Sequence, residues 1–220
     1  LPHYAGTLVA TWYAVYHLAR DPSAQPVAFA FGGEAEPVDY ARALADGSLP
    51  RGAFLTYLAQ DGAILDQVEL EPDLHQLSIR HLALGPDGTV AFAMQWQGDM
   101  AEPVPLLGLH RRGGAVQLCP PDDADAYAMK GYAGSIAWGR DMIALTSPPG
   151  GVVQVFGTDG RFLRTLRRTD ASGVAAEAGG VMLTDGTGAV CRLDGDALQP
   201  LARFDLAWDN HLIALSTGGI

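Results

Sequence analysis

The chain has 220 residues, with 25 acidic against 14 basic side chains and a formal charge of −11. That length buries a substantial core without disulfide staples. That charge repels phosphate backbones unless a local basic patch overrides it, and none is dense enough here, so nucleic acid is excluded as a partner. The richest basic stretch, RFLRTLRR at residues 161–168, puts Arg161 and Arg164 on opposite faces of a strand and reads as a solvated outer strand.

The N-terminal fifty residues come first. They open on LPHY without the basic and then apolar stretches of an export signal, so the compartment is not read from that end. No run reaches the roughly 18 apolar residues of a membrane span. The best candidate, TLVATWYAVYHLA at residues 7–19, is too short and too aromatic, and no membrane span is expected. This stretch and PVAFAF read as strands and EAEPVDYARALADGS as a loop or short helix, with the register of residues 1–50 undefined.

Beyond Arg51 helical periodicity gives way to short β-branched or aromatic runs separated by turns. Asp-Gly pairs recur at Asp46, Asp61, Asp87, Asp159, Asp185 and Asp194. Several sit between two apolar runs, where the glycine supplies the positive φ of a tight hairpin. Setting the strings IRHLALGPDGTVAF, AGSIAWGRDMIALT, ASGVAAEAGGVMLT and DNHLIAL beneath one another aligns His81, Ser135, Gly173 and His211, in steps of 54, 38 and 38 residues. Each full unit holds four strand-like runs, which is the content of one propeller blade. The longer first step is absorbed by PPDDADAYAMKGY, a loop with one short helical turn. The expected fold is therefore all-β: a single domain over residues 1–220, a β-propeller of four-stranded antiparallel blades. About five blades are visible in this chain, and six or seven are expected if segments are missing.

The strings LHQLSIRHLALGPDGTVAFAMQWQGD, PLLGLHR, GYAGSIA, IALTSPPGG and WDNHLIAL resemble the C-terminal half of the bacterial proteins grouped as domain of unknown function 1513, over roughly residues 58–215. The resemblance implies a β-propeller, export to the periplasm, and protein partners in iron uptake; the family's biochemical activity is unknown. The Gly-His-Gly, Pro-His-Glu and Asn-Gly-Gly-Ile strings of the family's N-terminal half are absent here, apart from a similarity at QPVAFAF to one early family strand.

In a propeller, residues just before the innermost strands lie at the mouth of the central channel. His81 and His211 are therefore expected to converge there, with Ser135 and Gly173 between them. Two imidazoles suit a transition metal such as iron, copper or zinc, with Asp209 or His75 as an added ligand. The competing reading has each histidine satisfying backbone groups at a blade junction. Arg80 and Arg140 flank two inner strands, where a planar guanidinium can grip a carboxylate or phosphate. In so acidic a chain, pairing with an acidic residue of the next blade is the more expected role. Asp122, Asp123 and Asp125 lack the ligand spacing of a calcium loop and read as helix N-terminal acids. Trp96, Trp138 and Trp208 read as packing residues. Cys119 and Cys191 lie in no metal-binding spacing; two buried thiols are the plainer reading, with a disulfide left open. There is no H-E-x-x-H, G-x-S-x-G, P-loop or G-x-G-x-x-G signature. A non-enzymatic binding or assembly component is thus favoured, with a metal-dependent hydrolase or oxidoreductase and a pure interaction scaffold as rival readings.

Overall fold

The computed structural model describes residues 27–31, 54–58, 64–178 and 180–214. The strand expected from TLVATWYAVYHLA and the loop or helix expected from EAEPVDYARALADGS lie outside the described residues. The strands are β1 (Val27–Phe31), β2 (Phe54–Leu58), β3 (Ile64–Glu69), β4 (Leu77–Leu84), β5 (Val90–Trp96), β6 (Leu107–His110), β7 (Gln117–Leu118), β8 (Ser135–Trp138), β9 (Met142–Ser147), β10 (Val152–Gly157), β11 (Phe162–Arg167), β12 (Ala171–Glu177), β13 (Gly180–Asp185), β14 (Ala189–Asp194) and β15 (Ala197–Arg203).

These strands form one three-stranded sheet, β1-β2-β3, and three four-stranded sheets, β4-β5-β6-β7, β8-β9-β10-β11 and β12-β13-β14-β15. Every pairing is antiparallel between sequence neighbours. The first strand of each sheet packs beside the first strand of the next, in the order β1, β4, β8, β12. That is the radial arrangement of propeller blades, with inner strands along one axis and outer strands β7, β11 and β15 away from it. Four blades are present among the described residues. The further unit expected from Asp209 onward contributes no strand there, since residues 207–214 run irregularly.

Turn chemistry explains the hairpins. Gly88 and Gly160, in the β4–β5 and β10–β11 turns, take φ of 85° and 83°, conformations that side chains with a Cβ rarely adopt. In the first of these turns, Asp87 Oδ1 accepts from the Thr89 backbone N–H at 3.0 Å. At Asp185-Gly186 the left-handed residue is Gly188 instead, because Asp185 turns its carboxylate inward.

Alternation along the strands builds two cores. On the third blade Ile143, Leu145 and Phe156 face a cluster shared with Leu55, Tyr57, Leu77, Ile79, Phe92 and Met94 of the first two blades. Ala144, Val153 and Val155 face the other way, into a cluster with Val174, Val181, Leu183 and Cys191 of the fourth. The period of two carries side chains to both faces of one sheet, so this blade is buried on both sides.

Two further elements complete the fold. The loop after β7 holds one helix, α1 (Asp123–Ala128), capped by Asp122, whose side chain accepts from the Asp125 backbone N–H at 3.0 Å. Cys119 and Cys191 are both free and buried; burial first, with Asp159 adding, pushes the Cys119 thiol up to about 11. The strand β11, drawn from RFLRTLRR, is the outer strand of its blade, and Arg164 and Arg168 from this stretch pair with Asp196 and Asp185. Among the described residues no helix is long and apolar enough to cross a membrane.

Candidate functional site at the inner edge of the blades

Three inner strands present equivalent positions to the axis. His81 pairs with Ala93, Ser135 with Thr146 and Val174 with Leu183, each three residues back from the end of its hairpin ladder. The register therefore places His81 and Ser135 level, and Gly173 just beside that level. Both β4 and β12 carry one extra residue there: Arg80 lies between the paired Ile79 and His81, and a second bulge falls between Ala171 and Val174. Bulges bend a strand and re-aim its side chains, and they gather at barrel rims and near sites.

Residues 210–212 pack across these inner ends. The rings of His81 and His211 lie 5.3 Å apart between centroids, tilted by 58°. Asn210 donates its side-chain amide to the Tyr132 hydroxyl at 3.1 Å. Leu212 lies so close to Gly173 that a Cβ there would meet the Leu212 Cβ at 2.9 Å and the Leu212 N at 3.0 Å. Glycine at this position lets the segment approach. His81 is buried and His211 exposed, so the pair spans the boundary between blade and solvent.

Two of the hydroxyls nearby hold adjacent blades together, and a third braces β12 against β13 within one blade. Ser135 Oγ accepts from the Val174 backbone N–H at 3.2 Å, and the Thr146 hydroxyl donates to the Ser172 carbonyl. Thr184 Oγ1 accepts from the Gly173 N–H at 3.2 Å. Ser135 is thus engaged in joining β8 to β12, which explains its burial.

The described arginines divide into those that meet a carboxylate and those that do not, Arg80 falling in the second group with Arg112, Arg140, Arg161, Arg167 and Arg203. Arg111, Arg164, Arg168 and Arg192 each meet a carboxylate. Arg80 forms no ion pair among the described residues, and its Nε, like that of Arg164, is buried without a hydrogen-bond partner among them. The expected pairing with an acidic residue of the next blade is not found there. A buried guanidinium nitrogen with nothing to donate to is costly, about 1–3 kcal/mol or more for a charged group, unless an acceptor beyond the described residues receives it.

The remaining candidates fall elsewhere. His75 is exposed on the 3-10 turn Pro72–Leu74 before β4, with Nδ1 bonded to the Pro72 carbonyl at 3.0 Å. It lies before the start of β4, whereas His81 lies within that strand beyond its bulge. Asp209 is exposed, and its Oδ1 accepts from the Asn210 N–H at 2.7 Å. Arg140 is exposed in the β8–β9 turn, beyond the far end of β8 from Ser135, and its Nη2 reaches the Ala178 carbonyl at 3.5 Å. Among the described residues no three His, Cys, Asp or Glu side chains gather to hold a metal ion. The set His81, His211, Asp209 and His75 is therefore not assembled as one; His81 and His211 alone come together.

Sequence reasoning singled out neither Tyr132 nor Asn210, which anchor the segment carrying His211. A tyrosine and an asparagine 78 positions apart give no periodic signal; their meeting depends on the fold.

The chain is similar in fold to solved β-propellers. Streptogramin B lyase superposes with a TM-score of 0.58 at 15% identity, over 89% of this chain and 55% of the lyase. Virginiamycin B lyase from Staphylococcus aureus gives 0.59 at 15%, over 87% and 56%. The WD40 repeats of RRP9 give 0.58 at 12%, over 90% and 53%. The chain spans about half the length of these propellers, and at such identities the likeness establishes fold alone. No curated protein matches the chain. A family model described as "Protein of unknown function (DUF1513)" matches residues 16–215.

Proposed function

The chain belongs to the DUF1513 family of unknown function, and from that premise we propose that it is an exported, non-enzymatic β-propeller that binds a metal-bearing anion at the inner edge of its blades, as a periplasmic component of iron acquisition. The observation that carries the reading is the unpaired Arg80, with its buried Nε, next in sequence to the His81–His211 pair. Imidazole nitrogens are ligands for iron, copper or zinc, and a planar guanidinium matches a carboxylate or phosphate in two-point contact.

Two imidazoles are too few for a resident, fully protein-held metal, whose structural sites take four ligands. The donor set suits an ion that arrives already chelated, with the protein adding His81 and His211 and Arg80 neutralising the chelator's charge. Iron and the periplasm enter from the family resemblance; the binding chemistry enters from these three residues.

Elemental mass spectrometry of protein purified natively from the periplasm tests this reading. The wild type is expected to carry iron, copper or zinc near stoichiometry. His81→Ala/His211→Ala is expected to lose it, and Arg80→Gln to hold markedly less. Wild-type protein without metal, before and after incubation with ferric citrate, would overturn the proposal and leave a propeller whose role lies in protein contacts.

A further inference from the structure

A cavity of about 170 Å³ lies between α1 and the loop that joins β5 to β6. Apolar cavities of roughly 150 Å³ take up benzene, so the space suits a ligand of that size rather than a drug-sized one. Trp96, Met100, Val104 and Ala126 form its apolar walls, and Glu102 and Lys130 bring the two charges. The walls are held in place: the Tyr127 hydroxyl donates to the Ala101 carbonyl at 2.7 Å, and the Trp96 indole N–H donates to the Asp99 carbonyl at 2.8 Å.

Lys130 is the sole lysine of the chain. It adopts φ of 51°, followed by Gly131 at 62°. This left-handed turn ends α1 one residue beyond its C-cap Met129, and it leaves Lys130 and Gly131 lining the cavity. A Cβ at Gly131 would meet the Met100 Cε at 3.0 Å, so the glycine keeps that wall clear. Lys130 and Glu102 line the same cavity, yet they form no ion pair with each other or with any described residue. Both side chains are exposed at the mouth of the cavity, where a ligand that carries both charges would meet each of them.

We propose that this cavity binds a free α-amino acid with an apolar side chain. Its carboxylate sits at Lys130, its ammonium group at Glu102, and its side chain against Trp96, Met100 and Val104. The site is separate from the inner edge of the blades and stands or falls independently of it.

Titration calorimetry with leucine, methionine and phenylalanine tests the proposal, with the deaminated and decarboxylated analogue of whichever binds tightest. At least one amino acid is expected to bind saturably, with each analogue weaker by about tenfold or more, since each loses one charged contact. Glu102→Gln and Lys130→Gly are each expected to weaken binding by a similar factor. Glycine accepts φ of 51° without strain, so Lys130→Gly is expected to melt no lower than the wild type and separates lost binding from lost folding. Saturable binding by none of the three, or binding by both analogues and both variants as tight as the wild type's, would overturn the assignment.

Discussion

The Asp185 carboxylate is 1% exposed and meets the Arg168 guanidinium. It also accepts from the Thr187 N–H at 2.9 Å, the Thr187 hydroxyl at 2.7 Å and the Ala189 N–H at 3.0 Å. Burial by itself would raise its pKa; the bonds from Thr187, Ala189 and Arg168 outweigh burial and hold the carboxyl below its ordinary value. A carboxylate depressed on folding contributes stability that is fully present above its unfolded pKa, about 4, and is lost as pH falls through the folded value. Asp185→Asn is expected to cost about 1–3 kcal/mol near neutrality, since the charged bond to Arg168 is lost while an acceptor oxygen remains. In denaturant unfolding followed against pH, the gap between wild type and variant is expected to stay level down to about pH 4 and to narrow below it. A gap that widens in acid would contradict this account. Asp185 was legible only as half of an Asp-Gly turn, because nothing local marks its partner 17 positions away. The same holds for Tyr57 and His110, 53 positions apart: the buried Tyr57 hydroxyl lies 2.7 Å from His110 Nδ1 and donates to the His110 carbonyl at 3.3 Å, and His110 Nε2–H reaches the Gly114 carbonyl at 3.1 Å. These bonds tie the first blade to the second.

At the scale of elements, much was legible because hairpins are local. An Asp-Gly turn between alternating runs determines register within a few residues, which is why β4–β5, β10–β11 and β14–β15 fall where their turns require. The alignment of His81 with Ser135 survives as a shared level on neighbouring inner strands. The bulges at Arg80 and before Val174 were not legible, since an extra residue is defined only against the partner strand. Nor was the path of residues 210–212, which read as another inner strand and instead runs irregularly over the inner edge. It passes close over Gly173. In Gly173→Ala the new methyl meets Leu212 Cβ and Thr184 Oγ1, both at 2.9 Å, and part of that contact is backbone, which yields less readily than a side chain. The variant is expected to lose about 1–3 kcal/mol by overpacking and to move His211 off His81. Loss of the contact between their ring protons in a nuclear Overhauser spectrum, with the β13–β14 pairing retained, is the expected signature; an unchanged contact would mean that the segment is not held at Gly173.

Across the whole molecule, the blades are joined by two cores that share one sheet. The cluster around Phe92, Leu107 and Leu145 spans the first three blades, and the one around Val155, Val181 and Leu183 joins only the third and fourth. Repetition of this kind makes stability close to a sum of unit terms and nearest-neighbour interfaces, so damage spreads first to the adjoining unit. Leu183→Ala removes a fully buried side chain from the second cluster, at a cost of about 2–5 kcal/mol. Its effect on hydrogen exchange is expected to be graded: greatest for amides of β12–β14, intermediate for β8–β10, and least for β4 and β5, whose contacts lie in the other cluster. Uniform loss of protection would mean that the blades unfold as one cooperative unit, with the two-sided third blade carrying the coupling from end to end. The site inherits whichever answer holds, because His81 stands on the second blade while Gly173, which receives the segment bearing His211, stands on the fourth. If stability is graded, the His81–His211 contact will be lost in Leu183→Ala while the fold around His81 persists; binding at the inner edge would then depend on the packing of a blade that contributes no ligand of its own.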